Sequence, residues 1–190
     1  AIKPAGFALP EGIGAANLAA AGPRHEAAPG GALVFGTPLA GNAPTWREIA
    51  WLRAETGLPL VLKGILAPDD ARRAIDHGAD GLVVSNHGGR VFDAAPAGIS
   101  ALPAIADAVD GSVPLMVDGA IESGADVARA LALGARAAMI GRPQFHALAV
   151  GGLAGAAHML HILRAEFEVA LALLGCTHSS QLGPGHVFGG

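Results

Sequence analysis

The first 44 residues show no sustained hydrophobic period, whereas the rest of the chain is strongly periodic. Ala, Gly and Pro dominate the opening, as in Ala27-Ala28-Pro29-Gly30-Gly31, so residues 1–44 read as a flexible connecting loop. Thr45 then stands where a helix N-cap belongs, followed by Trp46, Ile49 and Leu52 at helical spacing. From residue 57, short apolar runs alternate with helical patterns. The runs are Leu58–Leu62, Gly81–Ser85, Val113–Val117 and Ala137–Ile140. None alternates with polar residues, which suits parallel strands covered on both faces. Helical patterns fill the gaps at Asp69–His77, Ile99–Val109 and Gly124–Leu133. A last helix, Ala154–Leu174, carries Met159, Ile162, Leu163, Phe167 and Leu171 along one stripe.

The chain also repeats itself. Asp70, Arg73, Ala74, Gly78 and Ala79 recur as Asp126, Arg129, Ala130, Gly134 and Ala135, each time in a helix, a glycine turn and a strand. Repeated βα units with right-handed crossovers curl into a (β/α) barrel. A closed barrel needs eight strands and about 250 residues. Four strands predict an α/β chain that is half a barrel, with residues 45–190 as a (β/α)4 unit ending in the long helix.

Composition sharpens this picture. Apolar residues make up 52% of the chain and charged residues 15%, so it either buries much of its surface or offers an apolar face to a partner. No apolar run reaches the roughly 18 residues that cross a bilayer, and no signal peptide pattern opens the chain. A net charge of −4 without a basic stripe argues against nucleic acid. The lone Cys176 excludes an internal disulfide and fits a reducing compartment, so a cytoplasmic location is expected.

In α/β barrels chemistry gathers just past the C-terminal strand ends. Four segments fall there: Lys63-Gly64, Ser85-Asn86-His87-Gly88-Gly89-Arg90, Asp118-Gly119 and Gly141-Arg142. A histidine near neutral pH can accept a proton, and an arginine can clamp a carboxylate at two points. His87 and Arg90 therefore suit proton abstraction beside a carboxylate, against the plainer reading of a polar surface loop. The loops holding Asp118, Gly119, Gly141 and Arg142 would follow barrel strands seven and eight, a frequent phosphate site in this fold. A plain turn with a solvated Arg142 is the alternative. Lys63 is read as a cation held in a partly dry site or as a surface lysine. His158 and His161 lack a third ligand at sensible spacing, so no metal site is expected.

These segments resemble the FMN-dependent 2-hydroxy-acid oxidases and dehydrogenases, which include glycolate, lactate, mandelate and 4-hydroxymandelate oxidases. The likeness runs through Leu58–Gly64, Ser85–Arg90, Asp118-Gly119, Ala130–Ala135, Ile140–Pro143, Glu166-Phe167 and Gly175-Cys176, and more loosely Phe7–Pro10. The resemblance implies strands five to eight of a TIM (β/α)8 barrel, completed by another chain. It implies that His87 takes the substrate proton and that Arg90 binds the substrate carboxylate. It places Lys63 near flavin N1 and O2, and it sets Ser85, Asp118, Gly119, Ala120, Gly141 and Arg142 on FMN. Ala120 stands where the family usually has a second Gly, and Glu122 where it usually has an Arg that helps hold the phosphate.

The first four strands, with their substrate tyrosines and the acidic partner of the histidine, have no counterpart here, and this chain has no Tyr. The expected partner is an N-terminal half-barrel polypeptide, encoded separately or cleaved from one precursor, within a higher oligomer. The expected reaction is oxidation of a small 2-hydroxy acid to a 2-oxo acid with FMN. A degenerate, non-catalytic half-barrel acting as a scaffold is the competing expectation.

Overall fold

The computed structural model describes residues 44–187. The expected loop at 1–43, and with it Phe7–Pro10, lies outside the described residues.

Thr45 caps α1 (Trp46–Glu55) with a reciprocal capping box, its hydroxyl and Glu48 serving each other's ends. Then follow β1 (Val61–Ile65), α2 (Pro68–Asp76), β2 (Gly81–Val84), α3 (Gly98–Val109), β3 (Leu115–Asp118), α4 (Gly124–Ala132), β4 (Ala137–Met139) and α5 (Arg142–Leu173). The strands form one parallel sheet in the order β1-β2-β3-β4. Chain order equals sheet order, so α2, α3 and α4 are each a crossover to the next strand, as the βα repeat predicts. The outer edges of β1 and β4 have no strand partner among the described residues.

The repeated residues have a physical explanation. At both copies the helix ends in a Schellman motif. Gly78 has φ +93° and Gly134 φ +106°. Ala79 N–H donates to the Ala74 carbonyl at 3.0 Å, and Ala135 N–H to the Ala130 carbonyl at 3.1 Å. Both pairs of alanines are buried. Gly175 and Cys176 close α5 in the same way, with Gly175 at φ +70° and Cys176 N–H donating to Leu171 at 2.9 Å.

Burial departs from the expectation of two covered faces. β2 is buried throughout, but β3 alternates: Leu115 and Val117 are buried, Met116 and Asp118 only partly so. Leu82, Val84, Leu115 and Val117 join Leu102 and Ile105 of α3 in the core. The opposite face is less covered, with Val61 and Lys63 exposed on β1 and Met139 exposed on β4. The apolar runs are written for two covered faces, and one of them is only partly covered within residues 44–187.

Two boundaries shift. The strand read at Leu58–Leu62 pairs from Val61 to Ile65, and the one read at Val113–Val117 pairs from Leu115 to Asp118. Pro59 and Pro114 lack an N–H to give to a ladder, which delays the start of pairing. Lys63, Gly64 and Asp118 therefore lie inside strands rather than after them.

The last helix begins earlier than its apolar stripe suggests, at Arg142, but it is broken. Gly151 and Gly152 leave helical conformation, and a Cβ on Gly155 would sit 2.3 Å from the Ala147 carbonyl oxygen. Eight residues of straight helix would separate that pair by about 12 Å, so the two segments fold against each other. α5 is long and apolar enough to cross a bilayer by length and composition alone, but it is broken at Gly151 and Gly152. Its second segment instead packs on α4, where Gly124 N–H donates to Glu166 Oε2 at 2.8 Å.

Candidate functional site

Lys63 leaves β1 beside a bulge. The register slips between Lys63 and Ile65, with Gly64 at φ +102° in the irregular position. From there Lys63 Nζ reaches two neighbouring strands. It donates to Ser85 Oγ at 2.6 Å and pairs with Asp118 Oδ2 at 2.5 Å. Ser85 is fully buried, and its oxygen also accepts the His87 N–H at 3.0 Å. The hydroxyl thus ties the lysine to the start of the histidine loop. Asp118 Oδ1 is buried without a hydrogen-bond partner among the described residues. A buried orphan acceptor is costly and stands ready for a donor from outside the protein.

The histidine loop is a tight left-handed turn. His87, Gly88 and Gly89 have φ of +57°, +70° and +72° in succession. Left-handed backbone suits the two glycines but is sparsely populated for a histidine, so neighbouring contacts must hold it. Asn86 Oδ1 accepts from Gly89 N–H at 3.1 Å, and Arg90 Nε donates to the His87 carbonyl at 3.2 Å. Below the ring lies Gly64, where a Cβ would come within 2.8 Å of His87 Cε1. Among the described residues no side chain hydrogen-bonds the His87 ring, so its orientation rests on packing and backbone.

Two further loops complete the rim. Gly119 (φ +92°) and Ala120 (φ +55°) turn the chain after β3. Ala120 therefore accepts a conformation that favours glycine. Gly141 is the N-cap of α5 and Arg142 its first residue, with no side chain capping that end. This helix start and Arg142 both line the cleft, and a helix N-terminus beside an arginine favours anions, although Pro143 removes one of the free N–H groups. A Cβ on Gly88 would lie 3.6 Å from Arg142 Nη2, so the histidine and arginine loops approach each other.

One cleft of about 280 Å³ brings together Lys63, His87, Arg90, Asp118, Gly119, Ala120, Gly141 and Arg142. Ser85 lies beneath it as a buried support. Three contributions were not read from the sequence, although Gly64 and Glu166 stood in segments it singled out. Gly64 seats the histidine ring, and a glycine inside an apolar strand pattern was its available signal. Gly98 opens α3 against the strand ends, where a Cβ would be 2.9 Å from the Asp118 carbonyl oxygen and 3.1 Å from that of Val84. Glu166 serves the first N–H of α4 across 42 positions of sequence, which no local pattern announces.

The chain is 47% identical over 174 residues to an L-lactate oxidase of Nostoc sp., covering 90% of this chain and 48% of that protein. It is 49% identical over 172 residues to a 4-hydroxymandelate oxidase of Amycolatopsis orientalis, with the same two shares. It matches a solved mandelate oxidase carrying an FMN adduct with TM-score 0.70 and 50% identity, over 72% of this chain and 44% of that one. These structural neighbours are TIM barrels, and the sheet described above corresponds to part of one. The chain thus spans about half the length of the curated relatives it matches, on their C-terminal side. The family model described as FMN-dependent dehydrogenase matches residues 3–188, and the chain belongs to that family.

Proposed function

We propose that this chain forms the C-terminal half of the active site of an FMN-dependent 2-hydroxy-acid oxidase or dehydrogenase, completed by the first four strands of the barrel. The observation that carries this reading is the cleft. It gathers His87, Arg90 and the ion-paired Lys63 at the C-terminal strand ends of a parallel sheet whose outer edges have no strand partner among the described residues. Assembly into a higher oligomer in a reducing, cytoplasmic setting belongs to the same reading.

The residues suit FMN, the cofactor named for the family. Asp118 Oδ1 offers an unused acceptor to a hydroxyl, and Arg142 with the uncapped end of α5 suits a phosphate. When bound, FMN accepts the two electrons lost as the substrate alcohol becomes a ketone. Arg90 keeps its terminal nitrogens available for a carboxylate while Nε holds the His87 carbonyl. His87, as neutral imidazole, takes the proton released by the hydroxy acid. Lys63, held between Asp118 and Ser85, places a fixed positive charge in the cleft that favours negative charge developing there.

Co-expression with a polypeptide carrying the first four strands should give a yellow complex that oxidises a 2-hydroxy acid. His87→Ala should lower turnover by about 10²- to 10⁴-fold while flavin stays bound. Unchanged turnover removes His87 as the base. A complex that assembles but stays colourless in excess FMN favours the second reading, a non-catalytic scaffold half, for which the carboxylate of Glu122 in the cleft speaks.

A further inference from the structure

We infer that Glu122 governs which flavin this cleft prefers, by lowering its preference for a phosphorylated flavin over the same ring system without phosphate. The inference rests on the flavin reading above.

The anion-binding end of the cleft holds opposing charges. Arg142 and Glu122 both line the main cleft, and both line an adjoining cavity of about 380 Å³ that they share with Pro143 and His146. Glu122 is exposed, and among the described residues it forms no ion pair, with Arg142 or with any other cation. Its backbone is held in place, since its N–H donates to Asp126 Oδ2 at 3.2 Å. The side chain is therefore anchored beside the phosphate end, and its carboxylate is not consumed by the arginine. Glu122 and Arg142 sum to no net charge in front of a group that carries nearly two negative charges at neutral pH.

The expected size follows from charge and distance. One unit charge acting on a phosphate dianion several ångströms away across a wet cleft changes binding by about tenfold. Riboflavin has the same ring and ribityl chain but no phosphate, so its affinity should hardly respond. The ratio of the two dissociation constants isolates the charge from any general loosening of the site. It should also respond to salt, because exposed charges are screened at about 1 M ionic strength.

The test titrates FMN and riboflavin, by quenching of flavin fluorescence, into the assembled protein and its Glu122→Gln and Glu122→Arg variants, at low and high KCl. At low salt the preference for FMN over riboflavin should rise about tenfold in Glu122→Gln and further in Glu122→Arg, and it should fall back at high salt. Tight FMN binding with the same preference in all three proteins overturns this inference and leaves the flavin reading standing. A preference that rises equally at both salt concentrations overturns it as well. If none of the proteins binds either flavin, the flavin reading fails and this inference fails with it.

Discussion

His87 sits in a backbone conformation that histidine seldom adopts, between two contacts that leave it little choice. Its N–H is held by a buried hydroxyl and its ring rests on a glycine. The bulge at Gly64 does two jobs there. It turns Lys63 toward Ser85 and Asp118, and it leaves the space that the imidazole occupies. Gly64→Ala should harm the site on both counts, since φ at that position is +102° and the new methyl would meet the ring at 2.8 Å. We expect a stability loss of about 1–2 kcal/mol and a drop in turnover larger than the accompanying change in FMN affinity. Thermal melts and kcat compared with FMN titration check it. Normal turnover in a folded Gly64→Ala protein would show that the histidine ring does not depend on this seat.

At the scale of elements, α4 begins beside the cleft and needs its start secured. Ser123 and Asp126 form a capping box, and Glu166 on α5 serves the N–H of Gly124. Gly124 is the only residue type that fits, because a Cβ there would lie 2.0 Å from the Phe167 nitrogen. Burial by itself would raise the Asp126 carboxyl. Hydrogen bonds from the Ser123 hydroxyl and from the Glu122 and Ser123 N–H groups, with the charge of Arg129, outweigh burial and hold it below its ordinary value of 3.8. A depressed carboxyl stabilises the fold above its unfolded value, and that contribution drains away as pH falls below 3.8 and through the lower folded value. Asp126→Asn should therefore cost about 1 kcal/mol near neutral pH, as a lost cap does, and progressively less below the ordinary carboxylate range. Denaturant midpoints of both proteins at pH 7 and in acid read this directly. An equal deficit at both pH values would assign the loss to geometry rather than to charge.

At the scale of the molecule, among the described residues, the four-stranded sheet is better covered on its helix face than on the other, and its two outer edges have no strand partner. Unpaired edges and apolar surface are liabilities for a protein on its own. Leu58, Val61 and Met139 on or near the strands are exposed, as are Phe145 and Leu153 on α5. The chain without its complementary half should bind a hydrophobic dye and self-associate, and adding that half should suppress both. Dye fluorescence and size-exclusion chromatography measure this. A monomer that ignores the dye would mean that the apolar surface is covered some other way.

Much of this architecture was legible in the chain because its causes are local. Period and punctuation announce parallel strands and crossover helices, since each depends on residues within a turn or two. The glycine-alanine repeat announces three-dimensional repetition because one backbone motif needs those residue types at those offsets. The motif around His87 points to a site because it stands just past an apolar strand. Tertiary structure decided what depends on distant neighbours. It placed Lys63 and Asp118 within strands and then in contact, 55 positions apart. It set Gly64 under His87 and Glu166 on Gly124, and it folded α5 back on itself at Gly151 and Gly152. It also showed that one of two apolar sheet faces is less covered than the other within residues 44–187. Sequence pattern records what a position needs, whereas only the packed chain shows whether that need is met.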